Sequence, residues 1–274
     1  MNITEKDSYI TDSNQPRPLL SRIFLSAKYM FYPQLVWHVY IHSRRAAKRF
    51  YSGAEWAEGS LAIMRSLENI GVKVEINGIK NISSFDGPAV FIGNHMSALE
   101  TFVLPCIIQP LKVVTFVVKK SLIDTPVFKY LMRSRDPITV GRTNPREDLK
   151  AVLEEGIKKL EAGISIVIFP QSTRSIVFKP EEFNTLGVKL ALRAGVPIVP
   201  FALKTDAWGI GKRLKDFGPI DRNKVVHFTF GEPIMVKGRG TSEHETIIRF
   251  IQEKLQAWDK EEKSHHRKHR GKEL

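Results

Sequence analysis

His95 and Glu100, in Gly93-Asn94-His95-Met96-Ser97-Ala98-Leu99-Glu100, set an imidazole and a carboxylate four intervening residues apart. On one continuous helix, positions i and i+5 point roughly 140° apart. The two cooperate only if a loop turns into a helix between them. There the carboxylate holds the imidazole in one tautomer and stabilises its protonated form. That is the arrangement of a general base acting on a hydroxyl or thiol. The same spacing also occurs by chance around structural histidines. Ser97 lies between the two without a nucleophile-elbow context and reads as a helix cap. Further along, Gly141-Arg142-Thr143 stands just before a helix start, where a helix N-terminus and a guanidinium make a phosphate site. The tripeptide alone reads better as a surface arginine in a turn.

The elements that must position these groups alternate along the chain. Val72–Ile76 alternates strictly, and 89–92, 113–118, 138–140, 164–169, 196–203 and 225–230 read as further strands. Asn144 as cap, Pro145 and Glu147 open a helix with a stripe of Leu149, Val152, Leu153, Ile157 and Leu160, which Gly163 ends. A second stripe, Phe183 to Ala194, stops at Gly195, and 241–258 forms a closing helix. Strand alternating with helix predicts an α/β fold, a mixed, mostly parallel sheet flanked by helices. Ligands of such sheets bind beyond the carboxyl ends of the strands, so the blocks that follow strands converge on one edge.

The chain has 274 residues, 42% hydrophobic, enough for one α/β domain with an appendage. Forty-two Lys and Arg against 29 Asp and Glu leave a net charge of +13, a surface that seeks anions. No zinc-finger, RNA-recognition or helix-turn-helix signature is present, so nucleic acid is not an expected partner. Cys106 is the single cysteine and, among Leu104, Ile107 and Ile108, reads as a packing residue. Residues 1–18 form a polar N-terminal tail without a signal-peptide pattern. Residues 19–41 crowd aromatic and aliphatic groups, but Arg22, Lys28, Gln34 and His38 interrupt them, and Pro33 should break or kink a helix midway. Each half is too short to cross a bilayer. With Arg44, Arg45, Lys48 and Arg49 following, 19–69 reads as a helical, interfacial membrane segment, with a second helix from Ala46 to Asn69. The alternative is a helix pair packed on the domain. Residues 259–274 read as a basic, disordered tail, and its histidines, His265, His266 and His269, lack partner ligands, so no metal is expected.

Four blocks in order carry a resemblance: His95 to Glu100; Gly141-Arg142-Thr143; Phe169-Pro170-Gln171-Ser172-Thr173-Arg174-Ser175; and Val196-Pro197-Ile198-Val199-Pro200-Phe201. Across roughly residues 70 to 235 the chain resembles the glycerolipid acyltransferase family, which includes glycerol-3-phosphate and 1-acylglycerol-3-phosphate acyltransferases. The resemblance implies an acyltransferase domain over 70–258. His95 would take the proton from an acceptor hydroxyl attacking an acyl thioester, with Glu100 orienting it. Lys120, Gly141, Arg142, Gln171, Ser172, Thr173 and Arg174 fall at the family's substrate-binding positions, with Lys120, Arg142 and Arg174 the phosphate ligands. Glu100 stands for the family's Asp, Gln171 for its Glu and Ser172 for its Gly. The implied activity is O-acyl transfer from acyl-CoA or acyl-carrier protein to a lysophosphatidate-like lysophospholipid in phospholipid synthesis, without a cofactor. The expected setting is the cytoplasmic face of a membrane carrying anionic lipid. An acyl thioesterase and a non-catalytic lipid-binding adaptor are the rival readings.

Overall fold

The computed structural model describes residues 3–12, 27–125, 128–141, 143–171, 173–212 and 214–270. Their strands are β1 (Ser8–Ile10), β2 (Lys73–Asn77), β3 (Val90–Gly93), β4 (Val114–Lys119), β5 (Ile138–Val140), β6 (Ser165–Ile168), β7 (Ile198–Lys204) and β8 (Val225–Phe230). They form one sheet in the order β1-β2-β8-β7-β3-β6-β4-β5. The run β7-β3-β6-β4-β5 is parallel throughout, β2 pairs parallel with β8, and the β1–β2 and β7–β8 pairs are antiparallel. The mixed, mostly parallel sheet read from the sequence is the one observed.

The helices are α1 (Ala27–Lys48), α2 (Gly53–Asn69), α3 (Lys80–Ser83), α4 (Leu99–Ile108), α5 (Lys129–Arg133), α6 (Pro145–Glu161), α7 (Leu186–Ala194) and α8 (Thr241–Arg270). Strand residues alternate between two cores, because successive side chains of a strand face opposite sides. Phe91, Val167 and Val199 join Ile63, Leu67, Leu104 and Ile107 of α2 and α4 on one face. Val90, Ile92, Ile166 and Ile168 meet Val152, Leu160, Leu190 and Ile251 of α6, α7 and α8 on the other. Gly195 closes α7 in the left-handed conformation, with φ of 66°, as its position in the sequence predicts.

Four readings of the termini and appendage need correction. Residues 8–10 are an edge strand, not part of a featureless polar tail. Tyr9 and Thr11 hydroxyls both donate to the buried Glu68 carboxylate, at 2.5 and 2.6 Å, and so staple the segment to α2. Pro33 does not break the first helix: α1 runs through it for 22 residues. Gln34 Nε2 donates to Met30 O at 2.7 Å one turn back along the same helix. The predicted helix from Ala46 to Asn69 is divided at 49–52, because Ser52 and Glu55 form a capping box that starts α2 afresh. The tail is helical to Arg270, the continuation of α8. Lys204 Nζ, at the end of β7, holds Asp259 and Glu262 at 2.6 and 2.7 Å and extends that helix beyond Trp258. Residues 13–26 and 271–274 of the predicted segments lie outside the described residues.

Helix α1 is two-sided. Phe31, Leu35 and Val39 are buried against the domain, and Phe31 and Tyr32 meet Trp208 edge-on at 5.0 and 5.8 Å. Tyr29, Val36, Trp37 and Tyr40 are exposed on its other side. Among the described residues no helix is long and apolar enough to cross a membrane.

Candidate active site

Because β3, β4, β5, β6 and β7 are parallel, their carboxyl ends share one edge, and the segments leaving them carry His95, Lys120, Gly141, Gln171 and Thr205 in turn. Convergence of the motif blocks, expected from the strand pattern, is therefore met. The loop after β3 is fixed at its root. A Cβ at Gly93 would stand 2.2 Å from the Phe201 ring, so only glycine fits. Asn94 then pairs twice with Leu203 of β7, Nδ2 donating to its O at 2.8 Å and Oδ1 accepting from its N at 2.9 Å.

From that root the chain delivers His95 and turns into α4, the loop-to-helix arrangement the pair requires. His95 Nδ1 lies 2.8 Å from Glu100 Oε1. The same oxygen accepts the main-chain N–H groups of Met96 at 2.6 Å and Ser97 at 2.7 Å. Oε2 accepts from the hydroxyls of Ser97 at 3.0 Å and Thr205 at 2.7 Å. Glu100 is fully buried in the first turn of α4, where the helix dipole favours a negative charge. Burial alone would push its carboxyl up. The hydrogen bond and charge of His95, with the Thr205 hydroxyl, outweigh burial and hold it below the usual carboxylate range.

A group held as carboxylate only accepts hydrogen bonds, so Nδ1 is assigned as the donor and Nε2 carries the lone pair in neutral imidazole. Nε2 makes no hydrogen bond with a described residue. The ring is stacked on Phe169 with centroids 4.3 Å apart and planes at 18°. The adjacent Ser97 is buried, its hydroxyl spent on Glu100 and accepting from Leu99 N at 3.1 Å. It caps the turn rather than presenting a nucleophile. Cys106 is likewise buried, and burial pushes its thiol up to about 12.

The predicted substrate residues fare differently. Gln171 is buried, and its Oε1 accepts the His95 main-chain N–H at 2.7 Å; it positions the base. Thr173 is exposed beside it. Arg174 is one-quarter exposed, and its guanidinium is paired with the Asp216 carboxylate. Lys120 is exposed in the 3₁₀ turn Lys120–Leu122 and makes no ion pair with a described residue. Gly141 is not a sharp-turn glycine: its φ is not positive, and a Cβ there would meet nothing closer than Thr143 Oγ1 at 3.4 Å. Its N–H donates to Asp148 Oδ1 at 2.8 Å, which with Glu147 places acids in the first turn of α6. Arg142 and Ser172 lie outside the described residues.

Sequence reasoning missed Thr205, Asn94, Phe169 as a ring platform, and Asp216. Of these, Phe169 was findable, since it ends a predicted strand at the shared edge and opens a motif block.

The Acyltransferase family profile matches residues 73–204, the span from β2 to the end of β7. A 1-acyl-sn-glycerol-3-phosphate acyltransferase from Pseudomonas aeruginosa is 33% identical over 132 residues, 48% of this chain and 49% of that protein. One from Chlamydomonas reinhardtii is 31% identical over 160 residues, 58% of this chain and 45% of that protein. Over this span the chain is similar to the Acyltransferase family and to these 1-acyl-sn-glycerol-3-phosphate acyltransferases. The fold agrees: the crystal structure of the 1-acyl-sn-glycerophosphate acyltransferase PlsC from Thermotoga maritima superposes with a TM-score of 0.62 at 20% identity, covering 84% of this chain and 94% of that one. The chain spans about half the length of the curated relatives named here. The matched span contains the whole His95–Glu100–Thr205 cluster save Thr205 itself, which directly follows it.

Proposed function

We propose that the protein is a 1-acylglycerol-3-phosphate O-acyltransferase, moving a fatty acyl group from acyl-CoA or acyl-carrier protein to a lysophosphatidate-like acceptor. The observation that carries this is the His95 ring, oriented through Nδ1 by a buried carboxylate, with Nε2 unbonded among the described residues. Such a nitrogen takes the proton from a hydroxyl as its oxygen attacks the thioester carbonyl, and then returns it to the leaving thiol. Glu100 offsets the charge that develops on the ring. Arg174 and Lys120, on neighbouring segments of the same edge, suit the acceptor's phosphate. Attack is direct, within a ternary complex. No covalent acyl-enzyme and no cofactor enters this scheme.

The protein works at a membrane, on its cytoplasmic face. In support, Tyr29, Tyr32, Val36, Trp37, Tyr40 and Phe217 line an open apolar groove of about 830 Å³ along α1. Arg44, Arg45 and Lys48 follow on the same helix, where they meet anionic headgroups.

The test is acyl transfer from labelled acyl-CoA or acyl-carrier protein to lysophosphatidate, glycerol-3-phosphate and other lysolipids, comparing wild type with His95→Ala. Acceptor-dependent product that disappears in the variant is expected. Acyl release that ignores the acceptor would make the protein a thioesterase. A folded, vesicle-bound protein without turnover would make it a lipid-binding adaptor.

A further inference from the structure

Arg174 is engaged by its own chain. Its guanidinium donates to Asp216, a half-exposed carboxylate on the connection between β7 and β8. The backbone on both sides of Asp216 is tied to the aromatic groove of α1. Trp208 Nε1 donates to Asp216 O at 3.1 Å, and Tyr32 OH donates to Gly218 O at 2.7 Å. The Phe217 ring, half-exposed, lies 5.0 Å from Tyr32 and lines that groove. Trp208 in turn stacks on Phe102 of α4, with centroids 5.8 Å apart and planes at 6°. One loop thus touches the arginine, the exposed aromatic face and the helix that carries Glu100.

We propose that Asp216 is an internal placeholder for the acceptor's phosphate on Arg174, released when the aromatic face of α1 and Phe217 enters a bilayer. The inference rests on the reading that Arg174 binds that phosphate. A carboxylate and a phosphate compete for the same planar donor fork, and phosphate brings more charge and more acceptor oxygens. Exposed ion pairs of this kind change an equilibrium constant by only about 1.4- to 5-fold. Asp216 is therefore weak enough to be displaced, yet it shields an arginine that would otherwise take any anion. Burying Phe217 and Tyr32 in lipid moves the anchors on either side of Asp216, so the carboxylate leaves Arg174 where lipid acceptors are found.

Inorganic phosphate is the probe, because its binding is read without turnover. Titration calorimetry at fixed ionic strength would compare wild type, Asp216→Asn, Arg174→Ala and the double variant of the full chain. Asp216→Asn is expected to bind phosphate about two- to five-fold more tightly, and Arg174→Ala should erase that gain. Vesicles of phosphatidylcholine and phosphatidylglycerol in about equal parts should raise wild-type affinity to the level of Asp216→Asn and leave that variant unchanged. Equal or weaker phosphate binding by Asp216→Asn overturns the placeholder. A gain in Asp216→Asn with no vesicle effect on wild type overturns the coupling to the bilayer. Competition for phosphate without any acyl transfer would leave the placeholder standing and sink the proposed activity instead.

Discussion

Gln171 Oε1 accepts the main-chain N–H of His95 at 2.7 Å, so the residue that departs from the family's glutamate supports the base from below. Gln171 is buried, and a buried polar group that loses its partner costs about 1–3 kcal/mol. Gln171→Ala is expected to destabilise the fold by that amount. It should also lower kcat by about 10- to 100-fold, since small displacements of a catalytic group are expensive. KM for the acceptor should stay within about two-fold, a scale well under one hydrogen bond. Gln171→Glu keeps an acceptor oxygen and should recover most of kcat. Steady-state kinetics on the pair decide the point. A variant whose loss lies in KM alone would return Gln171 to the acceptor site.

Glu100 Oε1 gathers three donors at once, His95 Nδ1, Met96 N and Ser97 N. An aspartate, one methylene shorter, leaves a gap to at least one of them from the same helical position. Glu100→Asp should therefore lose activity by at least about 10-fold, although it restores the residue common in the family. Glu100→Gln keeps the length and most of the hydrogen bonds but removes the charge that supports protonated His95. It should fold and lose on the order of 10² to 10⁴ in kcat. Full activity in the aspartate variant would show that the loop adapts.

Much of this was legible in the chain. The alternation of apolar runs placed the core strands, and Asn144-Pro145 and Gly195 marked their helices correctly. The His95–Glu100 pair was readable because both partners lie within one loop-to-helix turn. What failed depended on distant partners. Residues 8–10 become a strand through Glu68, and α8 outruns its predicted end through Lys204. Thr205 escaped for the same reason, standing 105 residues from the carboxylate it holds.

Thr205 makes the acid side of the pH profile a test. Its hydroxyl is among the groups that keep the Glu100 carboxyl low against burial. A carboxyl lowered by folding stabilises the protein fully above its unfolded value, about 4.3. That stabilisation is lost as pH falls through the lower, folded value. Thr205→Val removes the donor at nearly constant volume, and burial then raises the carboxyl. The onset of acid unfolding should therefore move to higher pH. Urea titrations of both proteins between about pH 5 and 2 would show it. Coincident unfolding profiles would mean that Thr205 does not tune Glu100.

Lys204 is the last residue of β7, its side chain only 6% exposed, and it neutralises Asp259 and Glu262 on one face of α8. Burial pulls its amine down, but the two carboxylates more than compensate and hold it above its usual value. Lys204→Met keeps the stem packed and removes the charge. Two like charges three residues apart then face each other on the helix, a destabilising arrangement. Asp259 is 57% exposed and rehydrates readily, so the cost falls on the helix end more than on the sheet. Amide hydrogen exchange should quicken from about residue 256 onward, while the core strands keep their protection. Acyl transfer should persist, because Glu100 retains all of its donors. Unchanged protection across α8 would show that the helix extends beyond Trp258 on its own propensity, without the strand.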